Sequence, residues 1–340
     1  MTAERAAAEP GIAEAVSGKA RTGAAAAGTE TGAARRWPLA SVIVPTRGRP
    51  DLVRATLASV IGQTYPGPIE VIVVHDQEPP QPALADLSTA DRRVRVVANS
   101  RTPGLAGARN TAVVLAAGEF IATCDDDDVW HPAKLQAQVG CLLDHPDLLL
   151  VGSGIRLLLP DGRIITWPAR AERLSYQLLL RNRVKELHSS TLVMRRDAFA
   201  KAGLYDEGIP HGYAEDYDWI LRAARVGRIG AVVTPLADIR KDSGSWWPGN
   251  AAVTAAGLEY LLAKHPDIAR SARGHARVLG QIAFARSLLG ERRPALRYAA
   301  TAVVRWPASP HGYLALAHIA TGVDRRHMLR AARLVGRGLA

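Results

Sequence analysis

Two clusters of acidic residues are the parts of this sequence best suited to chemistry. The first is a run of four aspartates at residues 125–128. Four adjacent carboxylates repel one another, and a helix that begins near Pro132 needs only one of them as a cap. A hard divalent cation such as Mg²⁺ or Mn²⁺ prefers oxygen ligands and keeps positions open for phosphate oxygens. We interpret the run as a site for a metal and a diphosphate, against the alternative of a solvated turn that caps the next helix.

The second cluster combines Glu215, Asp216 and Asp218 at the start of an amphipathic stretch, residues 219–225, that predicts a helix. All three carboxylates are compatible with capping that helix and complementing its dipole. The turn-rich residues 203–212 before them would instead present a carboxylate to a cleft. A carboxylate placed there is suited to act as the general base for an alcohol.

The elements around these clusters follow a β-α-β pattern. Short β-branched runs at residues 41–45, 70–74, 93–97 and 120–123 alternate with amphipathic stretches of helical length at residues 51–63 and 105–117. Strands that are apolar on both faces, separated by helices, predict an α/β fold with a mostly parallel sheet covered by helices on both faces. Ligands of such sheets bind at the carboxyl ends of the strands, where this sequence carries Thr46, Asp76 and the aspartate run.

Composition divides the chain into three predicted parts. Residues 1–36 contain almost no large apolar side chains, so we expect a disordered tail. Residues 37–250 hold the β-α-β pattern and both acidic clusters. Residues 251–340 have helical patterns and carry 14 Lys and Arg against 4 Asp and Glu, which is +10 of the total net charge of +11.

Composition also excludes several classes of protein. No stretch approaches the roughly 18 consecutive apolar residues of a membrane-spanning helix. Cys124 and Cys141 are the two cysteines, so a disulfide-stapled secreted scaffold is excluded and a reducing compartment is favoured. The first residues lack the continuous apolar core of a signal peptide. We therefore expect a cytoplasmic protein.

Seven motifs occur in an order that resembles the inverting glycosyltransferases of family 2, over residues 40–247. They are Ser-Val-Ile-Val-Pro-Thr at 41–46, Ser-x-x-x-Gln-Thr-Tyr at 59–65, Val-Val-His-Asp at 73–76, Gly-x-x-x-Ala-Arg-Asn at 104–110, the sequence from Gly118 through the aspartate run, Phe-x-x-x-Gly-Leu-Tyr-Asp at 199–206, and Glu-Asp at 215–216. Each motif alone is weak, whereas the ordered set is specific. The resemblance implies the GT-A fold, a nucleotide-diphospho-sugar transferase fold. A C-terminal all-helical segment lies outside the resemblance.

The resemblance implies transfer of a sugar from a nucleotide diphosphate donor to a hydroxyl acceptor, a glycan or a lipid-linked molecule, in cell-surface polysaccharide or glycoconjugate synthesis. Transfer would invert the anomeric configuration and depend on Mn²⁺ or Mg²⁺. Asp216 would be the base, with Glu215 beside it. The residues implied for nucleotide binding are Thr46, Asp76, Arg109, Asp125 and Asp126, and those implied for the metal are Asp127 and Asp125.

Two departures from the family pattern bear on specificity. The usual Asp-Asp after the second strand is His75-Asp76 here, which leaves the identity of the nucleotide base open. Further on, the family often has Arg-x-His-x-x-Ser, and this chain has Asp242 in the position of the histidine. Asp242 is either a further oxygen ligand of the metal, with Lys241 as a phosphate partner, or part of a loop that lost that role.

Four arginines form one stripe along the last predicted helix, residues 325–339. They are Arg326, Arg330, Arg333 and Arg337. A solvated helix face explains such a stripe. The functional alternative is peripheral contact with an anionic membrane surface, at the inner face of the cell membrane. Nucleic acid is a less favoured partner, because the basic helices lack interleaved aromatic residues and a recognisable reading motif.

Two other functions share parts of this pattern. A nucleotidyltransferase would also place metal-binding aspartates at strand ends, but residues 46–50 match its Gly-rich phosphate loop poorly. A non-catalytic nucleotide-sugar-binding protein would not need both acidic clusters.

Overall fold

The computed structural model describes residues 35–170, 174–241 and 250–323. The strands in these ranges are β1 (Ala40–Thr46), β2 (Ile69–His75), β3 (Arg92–Ala98), β4 (Phe120–Thr123), β5 (Val129–Trp130), β6 (Leu148–Leu158), β7 (Ile164–Trp167), β8 (Val193–Arg195) and β9 (Arg228–Arg240). The helices are α1 (Pro50–Ile61), α2 (Leu105–Leu115), α3 (Lys134–Asp144), α4 (Tyr176–Arg181), α5 (Ala198–Ala202), α6 (Glu215–Val226), α7 (Ala251–Lys264), α8 (Ala272–Leu288), α9 (Arg292–Arg305) and α10 (Pro310–Thr321). Asp242, the four-arginine stripe and nearly all of the predicted tail lie outside the described residues.

The strands form one mixed sheet with the order β3-β2-β1-β4-β8-β6-β9-β5, and β7 pairs with β6. The strands β3, β2, β1 and β4 run parallel, so their carboxyl ends meet at one edge. The predicted α/β sheet with helices on both faces is confirmed. The antiparallel strands β5, β7 and β8 were not predicted; they have two to four residues each, too few to show a period.

Alternate residues of the central strands pack into two apolar layers. Val42 and Val44 of β1 share one layer with apolar residues of α1 and α3. Ile43, between them, faces the other layer, which contains apolar residues of α2 and α6. Both layers hold these strands in place, so the loops that follow β1 and β4 start from fixed points.

The C-terminal helices confirm the predicted helical segment and pack against the sheet domain. Val278 and Ile282 of α8 belong to the same apolar layer as α2 and α6. A polar contact joins α6 to the end of α7, where the fully buried Asp218 hydrogen-bonds His265 at 2.8 Å and pairs with Lys264. No helix in the part of the chain that the structure describes has the length and apolar character needed to cross a bilayer.

Lys134, at the start of α3, is a fully buried lysine. Its Nζ lies 3.9 Å from the centre of the Trp130 ring and has no hydrogen-bond partner among the described residues. Burial lowers the pKa of Lys134 from 10.5 to about 7. Between these pH values the unfolded chain binds a proton that the folded protein lacks, so the contribution of this residue makes stability rise with pH.

We predict that Lys134→Met stabilises the protein by about 3 kcal/mol near pH 7, since each pH unit between the two pKa values corresponds to about 1.4 kcal/mol and the lost cation–π contact offsets part of the gain. The gain should be full below the folded pKa of about 7 and should disappear as pH rises to 10.5. Urea unfolding of both proteins over this range measures it, with the exposed Lys201→Met as control. A gain that is the same at every pH would mean that packing alone is responsible.

Candidate active site

One cleft lies where β1 and β4 end and extends to the start of α6. The residues that line it are Pro45, Arg49, Leu105, Arg109, Asp125, Asp126, Asp127, Asp128, Arg183, His188, Ser189, Tyr213, Ala214, Glu215, Asp216, Ile239, Arg240 and Lys241. The cleft therefore brings together both acidic clusters, which are about 90 residues apart in the sequence.

Two of the four aspartates are bound by the last residue of β1 and by the loop that follows it. Asp126 accepts a hydrogen bond from Thr46 Oγ1 at 2.8 Å, and Arg49 Nη1 lies 3.1 Å from its other oxygen. The same Nη1 donates to Asp127 at 2.8 Å. The loop after β1 thus neutralises part of the charge of the run.

The other two aspartates are bound by the segment before β8. Asp125 accepts from Ser189 Oγ, and Asp128 accepts from Ser190 Oγ at 2.5 Å. Asp128 also accepts from the backbone N–H of Arg240 at 3.0 Å. The four carboxylates are therefore fixed in position by several separate parts of the chain.

Burial and mutual repulsion disfavour full ionisation of the run. Burial, together with the charges of Asp125 and Asp126, raises the pKa of Asp127 to about 6. Burial and the neighbouring carboxylates also raise the pKa of Asp128 well above its ordinary value. A cation bound among these groups would remove the repulsion.

One set of potential metal ligands combines Asp125, Asp128 and His188, whose ligand atoms all lie within 4.8 Å of one another. Burial lowers the pKa of His188, which favours the neutral imidazole that can bind a metal. His188 was not predicted as a site residue. Asp127, predicted as a ligand, lines the cleft beside this set and holds Arg49.

Arg109 lies between the two acidic clusters and is 1% exposed. Its Nη1 donates to Glu215 and its Nη2 donates to Asp125 at 2.6 Å. Burial raises the pKa of Glu215 to about 7, against the opposing effect of Arg109. Arg109 and Glu215 thus form a buried ion pair in the wall of the cleft. Contact of Arg109 with the nucleotide stays a prediction.

Thr46 and Asp76, predicted to contact the nucleotide base, are 2% and 1% exposed. Besides binding Asp126, Thr46 ends β1 within the sheet. Asp76 accepts hydrogen bonds from Asn99 Nδ2 at 2.8 Å and from the N–H of Gly104 at 3.0 Å. Gly104 has φ of 118°, which favours glycine, and it leads into α2. Neither Thr46 nor Asp76 is among the residues that line the cleft.

Asp216, the predicted base, lies in the first turn of α6 and faces the cleft. Its side chain is 15% exposed. Arg183 Nη2 donates to both of its carboxylate oxygens at 2.9 Å. Asp216 is therefore the member of the Glu-Asp pair whose carboxylate is not committed to the buried Arg109.

Several functional candidates were missed by the sequence analysis. Arg183, His188 and Ser189 come from a segment without a periodic pattern or a recognisable motif, so no signal marked them. Arg49 was noted only as part of a poor phosphate loop.

Comparison with known proteins gives a consistent result. The model of the family described as Glycosyl transferase family 2 matches residues 41–203. The UDP-Glc:alpha-D-GlcNAc-diphosphoundecaprenol beta-1,3-glucosyltransferase WfgD of Escherichia coli is 31% identical over 144 residues, which are 42% of this chain and 56% of that protein. The chain thus spans little more than half the length of this relative.

Two kinds of solved structure share the fold. TarS 1-349 of S. aureus, in complex with UDP-GlcNAc, has a TM-score of 0.54 and 17% identity, covering 88% of this chain and 93% of that one. The mannosyltransferase PcManGT of Pyrobaculum calidifontis, in complex with GDP-Man and Mn²⁺, has a TM-score of 0.53 and 17% identity, covering 86% and 82%. With sequence identities of 17%, the similarity to these two structures establishes the fold alone. It is the GT-A fold that the motifs imply.

Proposed function

We propose that this chain, whose residues 41–203 match the model of glycosyl transferase family 2, transfers a sugar, with inversion, from a nucleotide diphosphate donor to a hydroxyl group of a glycan or lipid-linked acceptor. The observation that carries this proposal is that the aspartate run and Asp216 line one cleft. The name of the relative WfgD specifies a UDP-sugar as its donor and a sugar linked to diphosphoundecaprenol as its acceptor. This supports the donor and acceptor classes proposed for the present chain.

A divalent cation, Mn²⁺ or Mg²⁺, fits the residues at the aspartate run. Asp125, Asp128 and His188 would hold it, with Asp127 on the cleft side of the same run. Two carboxylates and an imidazole are suitable donors for Mn²⁺. Burial and then the charges of Asp125 and Asp126 raise the pKa of Asp127, an effect that a nearby cation would oppose. When bound, such a cation neutralises charge on the departing diphosphate.

The remaining chemistry belongs to residues of this chain. Asp216 accepts the proton of the acceptor hydroxyl, and Arg183 holds the carboxylate in place for that step. The hydroxyl oxygen attacks the anomeric carbon as the bond to the diphosphate breaks, so the configuration inverts. Arg240 and Lys241 line the cleft and supply positive charge for phosphate oxygens.

We predict that Asp127→Ala loses most of the metal-dependent part of nucleotide binding. A ligand present at 100 times its Kd stabilises a folded protein by about 2.7 kcal/mol, so thermal unfolding with UDP, with and without Mn²⁺, reports this loss. Asp51→Ala, an exposed aspartate of α1, is the matched control. Protection of Asp127→Ala equal to that of the parent would remove Asp127 from the metal site.

The products of the reaction test the function itself. Incubation with a panel of nucleotide sugars and acceptors should release free nucleoside diphosphate. Release of pyrophosphate would indicate a nucleotidyltransferase, and binding without any product would indicate a non-catalytic protein. The anomeric configuration of the product, read by NMR, is an independent check on the single displacement.

A further inference from the structure

Two arginines lie against the same tyrosine beside the proposed base. The guanidinium carbons of Arg183 and Arg277 are 5.5 Å and 5.7 Å from the centre of the Tyr217 ring. Arg183 precedes β8 in the sheet domain, whereas Arg277 belongs to α8 in the C-terminal helices. Two distant parts of the chain thus bring two positive charges to the ring of Tyr217, the residue that follows Asp216.

Arg277 has no carboxylate partner among the residues that the structure describes. Its hydrogen bonds go to neutral oxygens: the carbonyl of Arg181 at 3.2 Å, the hydroxyl of Tyr217 at 3.2 Å and Oε1 of Gln281 at 3.3 Å. Burial and the charge of Arg183 both lower the pKa of Arg277. Of the two guanidinium groups beside Tyr217, Arg183 is thus paired with a carboxylate and Arg277 is bound only by neutral groups.

Arg183 has donors left over for a ligand. Only its Nη2 bonds Asp216, and its Nε and Nη1 have no hydrogen-bond partner within the described ranges. The side chain is 45% exposed and lines the cleft. A guanidinium group can therefore hold Asp216 on one side and bind a second anion on the other.

We infer that the acceptor carries an anionic group, a carboxylate or a phosphate, that Arg183 binds beside the hydroxyl deprotonated by Asp216, and that the charge of Arg277 next to Tyr217 strengthens this binding. The inference rests on the proposed transfer reaction and adds the chemical class of its acceptor. Arg183 contacts both the base and the acceptor anion, so binding of the anion sets the distance between the reacting hydroxyl and Asp216. Arg277 supplies the second charge from the C-terminal helices.

The test uses two matched pairs of probes: methyl glucuronide with methyl glucoside, and glycerol phosphate with glycerol. Binding to the full chain is measured by calorimetry in the presence of UDP and Mn²⁺. The parent should bind at least one anionic probe about 10-fold or more tightly than its neutral match, since a hydrogen bond to a charged group contributes about that much. Preference for the carboxylate or for the phosphate identifies the source of the anion.

Arg277→Gln should reduce this preference about 10-fold, and Arg277→Lys, which keeps the charge, should retain part of it. The matched control is Arg273→Gln, an exposed arginine one turn earlier in α8. It should bind both pairs as the parent does. Thermal unfolding without ligands verifies that each variant is folded.

Four results would overturn the inference. The parent could bind UDP but not discriminate between the members of either pair, in which case the transfer reaction stands without an anionic acceptor. Arg277→Gln could keep the full preference for the anionic probes. It could instead weaken the binding of UDP, which would assign the two arginines to the donor site. Failure of the parent to bind any nucleotide or nucleotide sugar would overturn the proposed function, and with it this inference.

Discussion

Asp216→Asn should bind the nucleotide sugar as the parent does and transfer it about 10² to 10⁴ times more slowly, because a positioned general base contributes this much to a rate. The amide has the shape of the carboxylate but cannot accept the proton. The Arg183 contacts place Asp216 at the cleft surface, and Glu215 cannot replace it because its carboxylate is engaged with the buried Arg109. Turnover and donor binding, measured on the same preparation, separate the two effects.

Asp86→Asn, an exposed aspartate outside the cleft, is the control and should keep normal turnover. If Asp216→Asn lowered donor affinity and left turnover normal, Asp216 would belong to the nucleotide site or to the fold. If both quantities stayed normal, another group would be the base.

Arg109→Met should lower the free energy of unfolding by about 3 to 5 kcal/mol, the cost of removing one partner from a buried ion pair. Arg109 is bonded to two carboxylates, Asp125 and Glu215, and is 1% exposed. Methionine would fill much of the space but would leave both carboxylates without their cation. Urea unfolding of parent and variant measures the difference.

A compensating variant distinguishes charge from packing. Adding Glu215→Gln and Asp125→Asn to Arg109→Met removes the unpaired charges and should recover a large part of the lost stability. Arg54→Met, an exposed arginine of α1, should be nearly neutral. Should the single variant Arg109→Met be as stable as the parent, Arg109 would be available for the nucleotide, as the sequence predicted.

The sheet could be predicted because its central strands are buried on both faces. β1, β2 and β4 are fully buried and mostly apolar, and strands of this kind separated by helices indicate a parallel sheet. The pairing of β6 with β9 could not be predicted in this way. It joins residues about 80 positions apart, and irregularities in its register interrupt the alternation.

The acidic groups of the site could be predicted, but their partners could not. Four consecutive aspartates and a Glu-Asp pair are visible in the sequence because like charges seldom occur together without a reason. Arg109, by contrast, looks the same whether it binds a phosphate or a buried carboxylate. Arg183 gives no signal at all, since its meaning depends on a carboxylate that the fold brings to it from 33 positions away.

The contact between Asp218 and the end of α7 affects where this chain can be divided. The family match ends at residue 203, before α6 begins, so a boundary drawn from similarity alone would separate Asp216 from the aspartate run. A boundary drawn after β9 would keep the cleft but leave the fully buried Asp218 without His265 and Lys264. Chimaeras that exchange the C-terminal helices between relatives must therefore supply a cationic or hydrogen-bonding partner for the carboxylate of Asp218. The helix α6, which carries the proposed base, and the C-terminal helix α7 therefore have to be exchanged together.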